Sequence, residues 1–267
     1  MTVNRGRIVI GRWSADPARR MSPWLAALAV WLLIWIATPV AGRVAGDGIL
    51  PTIVTLGVVT QAMTTLVVLA SRWSQKRIAC AAVIVLAGAW AVEALGVATG
   101  FPFGHYDYTD ALWPQVAGVP LLIPLAWLMM LPPAWAVVAA LLGEHRADGW
   151  LHRIAFAALS GLAFTAWDLY LDPQMVGWGL WTWDAPGGYF GIPWVNFAGW
   201  WVASSLFTLL VRPQSLPVRP LLVIYTLVWG FQLVGLGIFW GQPGPALAGF
   251  VGMGIFVLSA WRQEAQR

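Results

Sequence analysis

Three acidic side chains, Glu93, Asp168 and Asp172, are set among apolar residues and carry the chemistry this sequence could perform. Asp168 and Asp172 are four positions apart, so on a helix both carboxylates share one face, roughly 6 Å apart along the axis. They form a candidate acid pair. The segment 165–201 around them, TAWDLYLDPQMVGWGLWTWDAPGGYFGIPWVNFAGWW, holds seven of the 20 tryptophans and three of the 11 acidic residues. Pro173 predicts that the helix ends at Asp172, since the residue before proline is pushed from helical geometry and proline cannot continue the hydrogen-bond ladder. A Gly- and Trp-rich connection follows, and a second apolar run opens at Ile192-Pro193.

Each candidate also has a plainer reading. Ionisable groups inside a membrane span cost on the order of 2.5–3.5 kcal/mol each, so they face a cavity or a partner. Glu93 and Asp168 could therefore be catalytic, or could lock two helices together. Asp172 could be catalytic, interfacial or a turn former. Asn196 could orient a water or a carboxylate, or simply bond a neighbouring helix. The run Gly100-Phe-Pro-Phe-Gly-His-Tyr-Asp-Tyr108 is dense in aromatics. Tyr and Trp favour membrane interfaces, yet their faces also stabilise cations by up to about 2 kcal/mol when desolvated. Gly187-Gly188 reads first as a turn.

Absences narrow the chemistry. The sequence has no phosphate-cradling glycine loop with a lysine, no dinucleotide fingerprint and no serine nucleophile elbow. Aspartate-rich diphosphate motifs of the prenyltransferase kind are missing as well. His105 is the lone histidine on its side of the expected membrane, and Cys80 is the single cysteine, so no metal site and no disulfide framework is expected. What remains is acid–base chemistry on an apolar substrate, with no cofactor.

The elements that must position these groups follow from composition. With 60% hydrophobic and 10% charged residues and a mean hydropathy of +0.73, the chain reads as an all-α, polytopic transmembrane bundle. Eight spans are expected, near 24–41, 50–70, 78–98, 116–142, 153–171, 192–211, 220–240 and 245–261. They form one membrane domain, 23–262, between cytoplasmic tails 1–22 and 263–267. The first span lacks a small-residue cleavage site and reads as retained. Span four, with Pro120, Pro124, Pro132 and Pro133, should be kinked or broken. Glycines 235, 237, 249, 252 and 254 should let the last two spans pack closely.

A net charge of +4 could suggest nucleic acid, but the basic residues are dispersed and fit membrane orientation better. Arg5, Arg7, Arg12, Arg19 and Arg20 precede span one; Arg72, Lys76, Arg77, Arg146, Arg153, Arg212, Arg219, Arg262 and Arg267 flank alternate connections. That places 14 of the 15 basic residues on one side, with only Arg43 on the other. Both termini are therefore expected in the cytoplasm, in the cell (inner) membrane. The aromatic connections 99–115 and 172–191, which contain no Lys or Arg, then face outward. Glu93, Asp168 and Asp172 converge on the outer half of the bilayer.

Over residues 80–211 the pattern resembles a family of membrane carotenoid biosynthesis proteins that includes carotenoid 1,2-hydratases. The resemblance rests on Glu93, Gly100-Phe-Pro-Phe-Gly-His-Tyr-Asp-Tyr108, Gly118-Val-Pro, Ile123-Pro-Leu-Ala-Trp127-Leu-Met-Met130 and Asp168-Leu-Tyr-Leu-Asp172-Pro. It extends through Gly179-Leu-Trp-Thr-Trp183 and Tyr189-Phe-Gly-Ile-Pro193-Trp-Val-Asn196-Phe-Ala-Gly-Trp200. It implies addition of water across the terminal C1=C2 bond of an acyclic ψ end group, without a redox cofactor. The substrate would be lycopene-like or an elongated derivative, with water and membrane lipid as the other partners; association with other carotenoid enzymes is compatible with this, and nucleic acid is not.

Such a reaction needs an acid to protonate one alkene carbon and a base to direct water to the tertiary cation at the other. The residues expected to serve it are Asp168 as acid, Glu93 or Asp172 as base, and Tyr106, Tyr108, Trp181, Trp183, Asn196 and Trp200 as lining. A carotenoid cyclase would use the same acid and exclude water. A carotenoid-binding or transport protein would use the acids and aromatics as a passage.

Overall fold

The computed structural model describes residues 22–143 and 149–267. The N-terminal arginines 5, 7, 12, 19 and 20, together with His145 and Arg146, lie outside the described residues. Among the described residues eight helices are long and apolar enough to cross a membrane, so this is a multi-pass membrane protein. They are α1 (Pro23–Ala45), α2 (Leu50–Ala70), α3 (Gln75–Thr99), α4 (Leu122–Leu142), α5 (Trp150–Gly177), α6 (Trp194–Val211), α7 (Val218–Val234) and α8 (Pro243–Ala265). A five-residue π segment, Gly235–Phe239, extends α7.

Four short strands accompany the helices, which composition did not suggest. β1 (Tyr106–Tyr108) and β4 (Trp181–Trp183) pair antiparallel, and β2 (Gln115–Val116) pairs with β3 (Val119–Pro120). Ala117 and Gly118 both have positive φ (53° and 74°), as a tight two-residue hairpin requires. Span four therefore begins at Leu122 and not at 116, because the residues before it form this hairpin.

α4 is the hub, packed against α2, α3, α5, α7 and α8 and buried along nearly all its length. Its all-round hydrophobicity suits that position. Of the two outcomes expected for span four, kinked or broken, the break does not occur: α4 runs unbroken through Pro132 and Pro133. Pro133 has no N–H for the carbonyl of Met129, and Thr65 Oγ1 on α2 donates to that oxygen instead, at 3.0 Å.

α5 departs from expectation in the same way. It continues through Pro173 to Gly177, so Asp172 is a mid-helix residue and neither a helix end nor a turn former. The carbonyl that Pro173 leaves without its usual donor belongs to Leu169, and the Tyr189 hydroxyl donates to it at 2.8 Å. Tyr189 can reach because its connection doubles back at Phe190 and Gly191, both with positive φ, closing paired backbone hydrogen bonds between Tyr189 and Ile192.

Close helix packing does use glycine. The Tyr170 ring of α5 lies over Gly249 of α8, and Leu169 over Gly252, where a Cβ would collide with each. Away from the aromatic loops the bundle is tied by side chain to backbone bonds, such as Tyr225 to the Ala163 carbonyl at 2.7 Å.

Candidate active site

The site is assembled from the two aromatic connections. β1 and β4 join them in register: Tyr106 opposite Trp183, Asp107 opposite Thr182, Tyr108 opposite Trp181. Alternate residues of a strand point to opposite faces, so both tyrosines and both tryptophans face the bundle while Asp107 points outward and is exposed. The rings interlock, with centroids of Tyr106 and Tyr108 5.4 Å apart, Tyr106 and Trp183 5.7 Å, and Tyr108 and Trp181 5.6 Å.

Beneath this small sheet lies Glu93 of α3, buried. Its Oε2 accepts hydrogen bonds from the hydroxyls of Tyr106 (2.5 Å) and Tyr108 (2.8 Å), and Oε1 accepts from Trp127 Nε1 of α4 (3.1 Å). Three donors fix the position of this carboxyl group. Burial first, and the neighbouring Glu93 charge second, push the Tyr106 and Tyr108 phenols well above their ordinary range. Both remain donors. Tyr106 can come so close because residue 96, one turn beyond Glu93, is glycine: a Cβ there would sit 2.9 Å from the tyrosine hydroxyl and 2.8 Å from the Phe103 ring.

Asp168 and Asp172, one turn apart on α5, are both buried. The Asn196 amide, in the first turn of α6, bridges them: Nδ2 donates to Asp168 Oδ2 at 2.9 Å and to Asp172 Oδ2 at 2.5 Å. Trp181 Nε1 donates to Asp172 Oδ1 at 3.1 Å, while Asp168 Oδ1 has no partner among the described residues. Two carboxyls facing each other across one shared amide are suited to holding one proton between them. The positive end of the α6 dipole favours the remaining charge.

These groups border one cavity. Positions open to the centre of a water-sized sphere fill about 50 Å³ of it, where about 10–15 Å³ suffices for one water. Eight of the nine expected site residues form its wall: Glu93, Asp172, Tyr106, Tyr108, Trp181, Trp183, Asn196 and Trp200. Asp168 does not; it stands behind Asp172 and Asn196. Trp127 was not singled out from the sequence, yet it holds Glu93 and lies tilted against Trp200 with centroids 4.7 Å apart. Its signal was available, since an indole N–H inside a span must find an acceptor. Among the described residues no three His, Cys, Asp or Glu side chains are arranged to hold a metal ion.

The fold and the site thus define an eight-helix membrane protein with a buried, aromatic-walled carboxylate cavity. The chain belongs to the carotenoid biosynthesis protein family, which it matches over residues 51–256. It is similar to the bisanhydrobacterioruberin hydratase of Haloarcula japonica, at 30% identity over 194 residues, 67% of this chain and 63% of that protein. The match therefore spans less than two thirds of the relative's length. No solved structure matches the chain.

Proposed function

We propose that this protein is a carotenoid hydratase, adding water across the terminal C1=C2 bond of an acyclic end group. The observation that carries this reading is the cavity itself, where Asp172, bonded through Asn196 to Asp168 behind the lining, and Glu93, reached by three donors, border one aromatic-walled space. Family membership and the hydratase relative support the same chemistry.

Asp172, on the wall, gives a proton to C2 of the alkene, leaving a tertiary cation at C1. Asp168 and Asn196 hold Asp172 in position. This moves the acid one helical turn from Asp168, the residue the sequence favoured. The faces of Trp181, Trp183 and Trp200 and the two tyrosines stabilise the cation. Water adds to C1 and passes its extra proton towards Glu93. That proton then returns to the aspartate pair, so the net change is one water added, with no oxidation or reduction. The site lies in the outer half of the cell membrane, with both termini in the cytoplasm.

Expression in cells that make lycopene tests this. The expected product is an acyclic carotenoid heavier by one water per reacted end. An unchanged pigment profile with abundant, correctly inserted protein would overturn the proposal. A product of unchanged mass but altered ring content would instead identify a cyclase.

A further inference from the structure

A second hollow adjoins the first, sharing Val54, Val58, Met129, Leu171 and Met175 as common wall. Positions open to the centre of a water-sized sphere fill about 90 Å³ of it, room for several waters. Its walls are largely apolar, but three primary amides from three helices enter it: Gln61 of α2, Gln174 of α5 and Gln232 of α7. All three residues are at least 96% buried.

Their hydrogen bonding is incomplete. Gln232 Oε1 has no partner among the described residues. Gln61 Nε2 has the Met130 thioether at 3.0 Å, a weak acceptor. Buried amides left this way are costly unless something with both donors and acceptors occupies the space between them. The hollow is bounded by Trp178 and Trp240, edge to face at 5.1 Å. The π segment that begins three residues after Gln232 brings Trp240 against Gly235, where a Cβ would collide with the indole ring.

We infer that this second chamber stores the water that the hydration consumes. The inference rests on the hydratase reading above, which leaves open how a membrane-embedded, mostly apolar cavity is supplied with its second substrate. A three-amide chamber gives each water the two to four polar partners it needs and opens beside the reacting space. A hydrocarbon chain would leave the same amides unsatisfied.

The test is a partition measurement on the full chain in lipid nanodiscs, with an acyclic carotene in D2O. Protonation followed by water capture gives the alcohol. Addition of D⁺ at C2 followed by loss of H⁺ returns an alkene carrying deuterium. The Gln174→Leu/Gln232→Leu double variant should lose hydration by roughly tenfold, a factor one lost buried hydrogen bond can carry, while deuterium in the recovered carotene does not fall. Gln61→Leu and Gln232→Leu alone read the same ratio if the double variant does not insert. An unchanged ratio of alcohol to deuterated alkene overturns the inference, as does a lowered KM for carotene at constant ratio, the mark of a chain-binding chamber. If the unaltered protein gives neither alcohol nor deuterated alkene, the hydratase reading itself fails.

Discussion

Two walls of one cavity carry the same functional group in opposite settings. On the α3 side Glu93 is surrounded by donors from three side chains, two of them from a strand and one from α4. On the α5 side Asp168 and Asp172 share a single amide nitrogen, and one aspartate oxygen has no partner among the described residues. A carboxyl group reached by three donors is held in place. The aspartate pair, reached by two donor groups, keeps one oxygen free among the described residues. The contrast teaches that carboxyl groups in one cavity can be set apart by the number and kind of polar atoms around them.

The sharpest way to break this comparison is Asp172→Asn, which removes the acid that faces the cavity. Hydration should fall on the order of 10²–10⁴-fold, and deuterium uptake into recovered carotene in D2O should vanish with it. Retained uptake would move the acid elsewhere. Glu93→Gln should cost less, on the order of 10²-fold, and should spare deuterium uptake, because it acts after protonation. If both variants suppress uptake equally, the two walls do not divide the work.

Tyr106→Phe keeps the ring against Trp183 and deletes one donor to Glu93. Yield should drop by roughly tenfold, the lower end of the range for one hydrogen bond to a charged group. The smallest effect belongs outside the site. Tyr189→Phe leaves the Leu169 carbonyl without its donor and should lower stability by about 1 kcal/mol, read as a lower melting temperature with an unchanged product.

Much of this was legible in the chain. Hydropathy placed eight spans within a few residues, since a run of about 20 apolar residues has few other fates. The spacing of Asp168 and Asp172 gave their shared face, and the five aromatic residues expected as lining border one cavity. Other features had no local signature. Pro173 reads as a helix stop in any window of sequence, and the helix passes it because Tyr189, 16 positions later in the chain, supplies a donor to Leu169.

What the sequence by itself determined is what depends on short-range quantities: membrane spanning, the inventory of buried acids, and the two loops rich in tyrosine and tryptophan. Tertiary structure decided the rest. It paired residues 106–108 with 181–183, brought Trp127 onto Glu93, and set Asp172 rather than Asp168 on the cavity wall. The reason is physical. Burial and hydrogen bonding are settled by atoms distant in the chain, and a carboxyl group's role follows from how many donors reach it.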